Sequence, residues 1–320
     1  MGHDKLRKFA ENETFSCLLQ PSAQELLADG YFHLRDHAVK GRWNEFFSCL
    51  PFGNSPLKTS GCAGPFPSDD GPLPLTMPRV ARFSGAIAET AAQPEKNIVL
   101  ELGCGKGEYT IALAERNPER NYIGVDIKGA RLWKGAKYAT EHRLPNVAFL
   151  RTRVEFITAF FAPGEVSEVW LTFSDPQYRS ENSRLCSPLF LERYRGFLRP
   201  GGIVHLKTDS RFLHEYALAV CRCNGLRILT STRDLYHSDQ EIPNEVREVK
   251  TFYEQLFLEQ GYPITYLSFV IDHEGPYVSP RDPEDFDSKA WRAAEGPRLL
   301  FGHDSAETRR QKLHAGAGSD

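Results

Sequence analysis

The chain has 320 residues, enough for one large domain or two smaller ones with a hydrophobic core of ordinary size. Apolar residues make up 41% of it and charged residues 25%, which is typical of globular proteins and excludes a disordered or fibrous one. The longest apolar runs have the length of β-strands, far below the ~18 residues of a membrane helix, so we expect no integral membrane protein. The net charge of −3 gives no global sign of a nucleic-acid partner, and such binding would need a local basic patch.

The N-terminus mixes charges of both signs and lacks the apolar stretch of a secretion signal, so we expect a cytoplasmic protein. Seven cysteines are an odd number, and Cys104 lies in a glycine-rich turn that suits a disulfide poorly, which favours reduced thiols. Cys221 and Cys223 lie two residues apart on a predicted helix and face different ways, which indicates packing. We therefore predict no metal site.

The first 95 residues divide into two segments of different composition. Residues 1–50 form an N-terminal segment with several aromatic residues and a basic piece, Lys5–Phe9. Residues 51–95 are rich in proline and glycine, which blocks long helices and predicts an insertion or linker rather than a second core.

From residue 96 to 273, short β-rich runs alternate with helical patterns, which is typical of a mostly parallel sheet with helices on its faces. Seven strands are predicted, at Asn97–Leu102, Asn121–Ile127, Ala148–Thr152, Glu168–Phe173, Ile203–Lys207, Leu226–Thr230 and Thr265–Ile271. Helices are predicted at Glu108–Arg116, Arg131–His142, Pro188–Leu198 and Arg211–Cys223. The polar tail, residues 274–320, is expected to be partly disordered, with Trp291, Leu299 and Leu300 as its only anchors.

The first of these strands runs into a glycine-rich turn, Glu101-x-Gly103-x-Gly105-x-Gly107. Glycines let the chain turn sharply into a helix and let a ligand approach the backbone. The spacing differs from the G-x-G-x-x-G of dinucleotide-binding proteins, which disfavours NAD. Asp126 ends the next strand, where a carboxylate can accept both hydroxyls of a ribose, so a nucleoside ligand is predicted. The segment resembles the S-adenosylmethionine site of class I methyltransferases.

Acidic residues also follow two later strands. Asp175 follows Glu168–Phe173, and Asp209 follows Ile203–Lys207. Ligands of open α/β sheets bind outside the carboxyl ends of the strands, near the point where strand order reverses. Asp175 should therefore lie beside the cofactor where the acceptor enters, although taken alone it would more simply be a turn or capping residue.

Five motifs in a fixed order make the resemblance specific. They are L-E-L-G-C-G-K-G at 100–107, Y-I-G-V-D at 122–126, F-S-D-P at 173–176, F-L-R-P-G-G at 197–202 and H-L-K-T-D at 205–209. In this order they are similar to the motifs of the tRNA (guanine-N7-)-methyltransferase family, over about residues 97–272. The resemblance implies a Rossmann-like class I methyltransferase fold with a seven-stranded, mostly parallel sheet and helices on both faces. It also implies S-adenosylmethionine as cofactor, tRNA as partner, and methyl transfer to N7 of guanine 46 in the tRNA variable loop. No obligate protein partner is evident from the sequence.

The resemblance assigns roles to single residues as well. It implies that Asp175 is the catalytic residue at the centre of the active site. The implied cofactor-binding residues are Glu101, Gly103, Gly105, Asp126, Arg153 and Asp175. The implied substrate contacts are Arg179, Asp209, and the Thr251 and Glu254 of a T-x-x-E motif, for which an ordinary helix surface is the alternative. Cations that could face tRNA phosphates, each of which singly could be a solvated surface charge, are Lys5, Arg7, Lys8, Lys106, Lys128, Arg131, Arg179, Arg184, Lys207 and Arg211.

Three positions depart from the family pattern. Ser174 and Gln177 replace the first proline and the tryptophan of Pro-Asp-Pro-Trp, and Arg153 stands where an acid near the adenine amine is expected. Either the adenine is held by backbone atoms and apolar walls, or the alignment with the family slips locally at this point. Two alternatives stay open: a class I methyltransferase with a substrate other than tRNA, and a catalytically impaired RNA-binding homologue that keeps the fold.

Overall fold

The structure is a computed structural model that describes residues 3–27, 33–51, 96–281 and 283–295. Its strands are β1 (Leu18–Leu19), β2 (Ile98–Leu102), β3 (Asn121–Asp126), β4 (Val147–Arg151), β5 (Val166–Thr172), β6 (Leu198–Thr208), β7 (Ile228–Thr232) and β8 (Thr265–Val270). They form one sheet in the order β1-β4-β3-β2-β5-β6-β8-β7. All strands run in one direction except β8, which is antiparallel to both of its neighbours. The predicted α/β class with a mostly parallel sheet is confirmed.

Helices connect the strands and pack against the sheet. They are α1 (His3–Asn12), α2 (Ala23–Leu26), α3 (Trp43–Ser48), α4 (Glu108–Arg116), α5 (Gly129–Glu141), α6 (Pro188–Arg195), α7 (Arg211–Cys223), α8 (Asn244–Glu248), α9 (Phe252–Glu259) and α10 (Ser288–Glu295). The bounds of α4 and α7 are those predicted from the sequence. Ser210 caps α7 by accepting a hydrogen bond from the Leu213 N–H at 3.1 Å.

The predicted number of strands was wrong: the described sheet has eight rather than seven. The additional strand is β1, which pairs Leu18 with Phe149 and Leu19 with Leu150 of β4. Two residues are too few to show the alternation or the apolar run by which a strand is recognised in sequence. The helix predicted to reach Leu198 ends at Arg195, because Leu198 already pairs with β5.

The N-terminal segment contributes to the same hydrophobic core as the sheet. Trp43 is completely buried, stacks on Phe161 at 5.4 Å between ring centroids, and donates its indole N–H to the Phe160 carbonyl. α1 packs on α5, where the Trp133 indole N–H donates to Glu11 at 2.6 Å. These aromatic contacts fasten residues N-terminal to the domain onto its sheet.

The tail has described structure up to residue 295. α10 packs on α7, and Trp291 lies partly buried against the core. The other two predicted anchors, Leu299 and Leu300, lie outside the described residues, as do residues 52–95 of the predicted insertion. No described helix is both long enough and apolar enough to cross a membrane.

Candidate active site

The site lies at the carboxyl ends of four neighbouring strands. Glu101 is in β2, Asp126 ends β3, and Asp175 and Asp209 follow β5 and β6. Strand order reverses between β2 and β5, because β3 and β4 continue to one side of β2 while β5 and β6 continue to the other. Loops diverge from the sheet at such a reversal and leave a crevice for a ligand. The four predicted acids therefore lie at, or just after, the carboxyl ends of adjacent strands.

The glycine turn has the backbone shape that its sequence predicts. Gly103, Gly105 and Gly107 have φ values of +79°, +58° and +75°, which other residues adopt only with strain. A Cβ at Gly103 or Gly105 would meet no atom within 4 Å, so these two positions border open space. A Cβ at Gly107 would lie 2.5 Å from the Phe149 ring, so this glycine is required by packing instead.

Glu101 lies behind the glycine turn and joins α4 to β5. Its carboxylate accepts the Thr110 N–H at 2.8 Å and also the hydroxyls of Thr110 and Thr172. Burial raises the pKa of Glu101 to about 7, although the hydrogen bonds from these threonines lower it. The structure thus shows Glu101 fastening the helix that follows the glycine turn to β5, and its direct bond to a cofactor stays a prediction.

Asp126 ties the glycine turn to the start of α5. Its two carboxylate oxygens accept the Gly105 N–H at 3.0 Å and the Lys128 N–H at 2.7 Å. Asp126, Gly103 and Arg153 line one cleft of about 260 Å³. A carboxylate oxygen can accept more than one hydrogen bond, so Asp126 keeps the capacity to bind ribose hydroxyls from this cleft.

The same cleft contains residues that sequence reasoning missed. Ile127 is 54% exposed at its rim, and Val154 and Glu155 line it together with Arg153. Arg153 is exposed and its guanidinium pairs with Glu155 at 3.3 Å. An acid therefore stands two residues beyond the position where the family pattern expects one. A large exposed apolar residue directly after Asp126 was the sequence signal available for Ile127.

Asp175 lies in a constrained loop. Phe173 and Gln177, on either side of it, have φ values of +49° and +48°, a conformation that is uncommon for non-glycine residues. The Asp175 side chain is exposed and accepts the Gln177 N–H at 2.9 Å, which sets its orientation. Arg184 supports the loop by donating to the Pro176 carbonyl. Strained backbone of this kind is often found at functional sites.

β6 is hydrogen-bonded to the loop that contains Asp175. The Phe173 N–H donates to the Lys207 carbonyl of β6 at 2.9 Å. Asp209, two residues beyond Lys207, is half-buried between the end of β6 and the cap of α7. Arg179 is exposed on the loop that follows Asp175. Asp175, Arg179 and Asp209 thus belong to two strand ends that are bonded to each other.

The T-x-x-E motif is a capping box at the start of α9, with Thr251 half-buried at the N-cap and Glu254 in the core, so the Glu254 side chain does not lie on the helix surface. The Thr251 hydroxyl accepts the Glu254 N–H at 3.2 Å, and the Glu254 carboxylate accepts the Thr251 N–H. Glu254 is completely buried, where it also accepts the Tyr236 hydroxyl and pairs with Lys207 at 2.8 Å. A direct contact between Glu254 and a substrate would require this pair to separate.

Two of the cations predicted to face phosphates do not reach the surface, so the prediction was wrong for them. Lys207 is completely buried with Glu254, and Arg184 is buried against the rings of Phe212 and Tyr216. Lys207 lies near the end of β6 and Arg184 in the connection after β5, but residue type does not reveal that their side chains point into the core. Of the remaining predicted cations, Arg7 and Lys8 of α1 lie about 5 Å from the Trp133 ring. Lys137 of α5, which was not among the predicted cations, lies at a similar distance from the same ring.

A sheet with this order, a glycine turn after β2 and an acid ending β3 define a class I methyltransferase. Comparisons with known proteins agree with this class. A family model described as a putative methyltransferase matches residues 95–267. The tRNA (guanine-N(7)-)-methyltransferase of Christiangramia forsetii is 44% identical over 270 residues, covering 84% of this chain and 98% of that protein.

The protein of the same name from Bacteroides thetaiotaomicron is 51% identical over 183 residues, covering 57% of this chain and 72% of that protein. Among solved structures, the 16S rRNA methyltransferase KamB aligns with a TM-score of 0.44 and 18% identity, covering 55% of this chain and 88% of that chain. The chain belongs to the tRNA (guanine-N(7)-)-methyltransferase family.

The cofactor of this class is S-adenosylmethionine, and the residues present fit it. Gly103 and Gly105 border open space that a side chain would fill. Asp126 presents a carboxylate to the adjoining cleft, and Ile127 and Val154 give that cleft apolar walls suited to a flat base. Within the described ranges, no group of three or more His, Cys, Asp or Glu side chains could hold a metal ion.

Proposed function

We propose that the protein transfers the methyl group of S-adenosylmethionine to N7 of a guanine in tRNA, at position 46 of the variable loop. The observation that carries the proposal is the pair of acids, Asp175 and Asp209, on bonded strand ends next to the glycine turn. The names of the relatives support the tRNA guanine as substrate. We infer a cytoplasmic location from the same proposal, because tRNA is the proposed substrate.

The chemistry requires positioning more than acid–base catalysis. Guanine N7 carries an in-plane lone pair and no proton, so no general base is needed. When bound, S-adenosylmethionine supplies a methyl group on a positively charged sulfur, and the bond to sulfur breaks as the bond to N7 forms. Holding N7 in line with that methyl group can lower the barrier by on the order of 7–11 kcal/mol.

The protein's own residues then divide the work. Asp126 and the glycine turn bind and orient the nucleoside end of the cofactor, and Glu155 can accept a hydrogen bond from the adenine amine. Positive charge moves onto the guanine during transfer, and the carboxylate of Asp175, oriented beforehand by the Gln177 N–H, stabilises it. Asp209 accepts N–H groups of the guanine, and Arg179 and the cations of α1 and α5 face phosphates.

The direct test uses the purified full chain, S-adenosylmethionine with a labelled methyl group, and an unmodified tRNA transcript. Nucleoside mass spectrometry should detect 7-methylguanosine, and a transcript with adenine in place of guanine 46 should acquire none. Asp175→Ala and Asp209→Ala should each lower kcat at least tenfold, which is about 1.4 kcal/mol, with little change in cofactor Kd. Asp36→Ala, which removes a surface acid paired with Lys40, is the matched control and should leave kcat unchanged.

Two results would contradict the proposal, and each favours a different alternative. Cofactor binding without methylation of tRNA would favour a class I methyltransferase with another substrate. Failure to bind S-adenosylmethionine, together with retained binding of tRNA, would favour an RNA-binding homologue that has lost catalysis.

A further inference from the structure

Two aromatic side chains stand exposed side by side at the start of α9. Phe252 is 54% exposed and Tyr253 is 42% exposed, and their ring centroids lie 6.0 Å apart. A single exposed apolar side chain is common, but two adjacent aromatic rings form a patch that usually has a partner. Neither ring belongs to the cofactor cleft or to the acids described above.

On one side, the Phe252–Tyr253 pair is hydrogen-bonded to the helix that follows the glycine turn. The Phe252 N–H donates to the Glu108 carboxylate at 3.0 Å, at the first residue of α4. Lys106, inside the glycine turn, places its ammonium 5.7 Å from the Phe252 ring centroid and 6.0 Å from that of Tyr253. An ammonium and two aromatic faces are thus presented together beside the turn that holds the cofactor.

On its other side, α9 reaches the Asp175 loop. The Phe257 ring stacks on Phe173, with 6.4 Å between centroids and an interplanar angle of 18°. Phe173 lies two residues before Asp175. α9 therefore bridges the two halves of the site, and the exposed pair is at its end next to the glycine turn.

The backbone beneath the pair is held by hydrogen bonds and an ion pair. Thr251 and Glu254 form the capping box around it, and the Glu254 carboxylate is anchored on the buried Lys207 ammonium. Anchoring of this kind reduces the entropy lost when the exposed rings bind a ligand. The T-x-x-E motif thereby positions the two residues between its threonine and its glutamate.

We propose that Phe252 stacks on the tRNA base next to the guanine being methylated, with Tyr253 at the edge of that base and Lys106 facing the adjoining phosphate; the inference rests on the proposed function. Aromatic stacking with a neighbouring cation is how proteins hold splayed-out, single-stranded bases. The rings are inclined by 70°, so only one can stack on a given base, and Phe252 is the more exposed. The contact recognises the location of the base in the tRNA and not its identity, because every base has a face that can stack.

The test compares tRNA affinity in three variants of the full chain. Phe252→Ala should raise the Kd for unmodified tRNA about tenfold, and Phe252→Trp should bind like the wild type, because a larger ring also stacks. Leu229→Ala removes a side chain that is 45% exposed on β7, at the edge of the sheet, and should leave tRNA affinity unchanged. Equal cofactor Kd and equal melting temperature in all three variants show that they are folded.

An abasic nucleotide placed on either side of the target guanine identifies the contact. With the base removed at the stacking position, the wild type should lose about tenfold in affinity and Phe252→Ala should lose nothing more. Unchanged affinity of Phe252→Ala, or equal losses by both proteins on every abasic tRNA, would overturn the inference while tRNA methylation by the wild type continues. A wild type that fails to methylate tRNA refutes the proposed function instead.

Discussion

Removing one partner of the buried ion pair between Lys207 and Glu254 should strongly destabilise the domain. Both side chains are completely buried, and their charged groups lie 2.8 Å apart. The Lys207 ammonium also donates to the backbone carbonyls of Val246 and Val249 at 2.7 and 2.8 Å. Burial lowers the pKa of Lys207 to about 8, so the ammonium still carries its charge at pH 7.

Replacing Lys207 by methionine keeps the volume and removes the charge. The Glu254 carboxylate then remains buried without its counter-charge, which costs about 3–5 kcal/mol of the free energy of unfolding. Adding Glu254→Gln removes the remaining charge, so the double variant should be about 1–3 kcal/mol more stable than Lys207→Met alone. If Glu254→Gln restores part of the stability lost in Lys207→Met, the loss was caused by the buried carboxylate charge without a partner.

Urea denaturation at pH 7 measures these differences. Lys134→Met is the matched control, because Lys134 is 60% exposed and its pairing with Glu108 contributes at most about 1 kcal/mol. The salt dependence of tRNA binding by folded Lys207→Met should equal that of the wild type, since a buried ammonium contacts no phosphate. The reasoning is refuted if Lys207→Met is as stable as the wild type, or if Glu254→Gln destabilises it further.

Three further predictions test other parts of the site. Gly103→Ala and Gly164→Ala both place a Cβ in open space at a positive φ, so each should lower the free energy of unfolding in urea by about 1–2 kcal/mol. Calorimetry should show weaker cofactor binding only for Gly103→Ala, and equal affinities of the two variants would contradict the position of the cofactor. The free energy of unfolding should fall by roughly 3 kcal/mol between pH 4.5 and 7 because of Glu101, since this carboxyl keeps its proton up to about pH 7 in the folded state but releases it near pH 4.5 in the unfolded state. Glu101→Gln should lack this fall, and parallel pH profiles of the variant and the wild type would disprove the assignment. Raising salt from 50 to 200 mM should weaken tRNA binding at least tenfold in a filter-binding assay, and a flat response would count against phosphate contacts by Arg7, Lys8 and Lys137.

Much of the fold was predictable because local patterns and tertiary packing agree in the domain. All five residues of β2 are buried, and a strand covered on both sides reads as a continuous apolar run. Gly103, Gly105 and Asp126 were predictable for a related reason. A glycine turn and a strand-terminal acid carry their spacing in the sequence, and parallel strands bring their carboxyl ends to one edge.

The errors arose where a residue's role depends on distant contacts. Lys207 has the same residue type as a phosphate-binding lysine, and only the tertiary structure shows it buried with Glu254 of α9 and with the carbonyls of Val246 and Val249. Glu155 was not predicted, and it lines the cleft beside Asp126 from the 3-10 helix that follows β4.

By itself, the sequence determined the alternation of strands and helices, the glycine turn and the acids at the strand ends, because these depend on backbone conformation and on neighbours close in the chain. Only the tertiary structure decided which charges face solvent, that the N-terminal segment adds β1 to the sheet, and that Phe252 and Tyr253 stand beside the glycine turn. Such features depend on contacts between residues far apart in the chain, so they cannot be predicted from residue type and spacing alone.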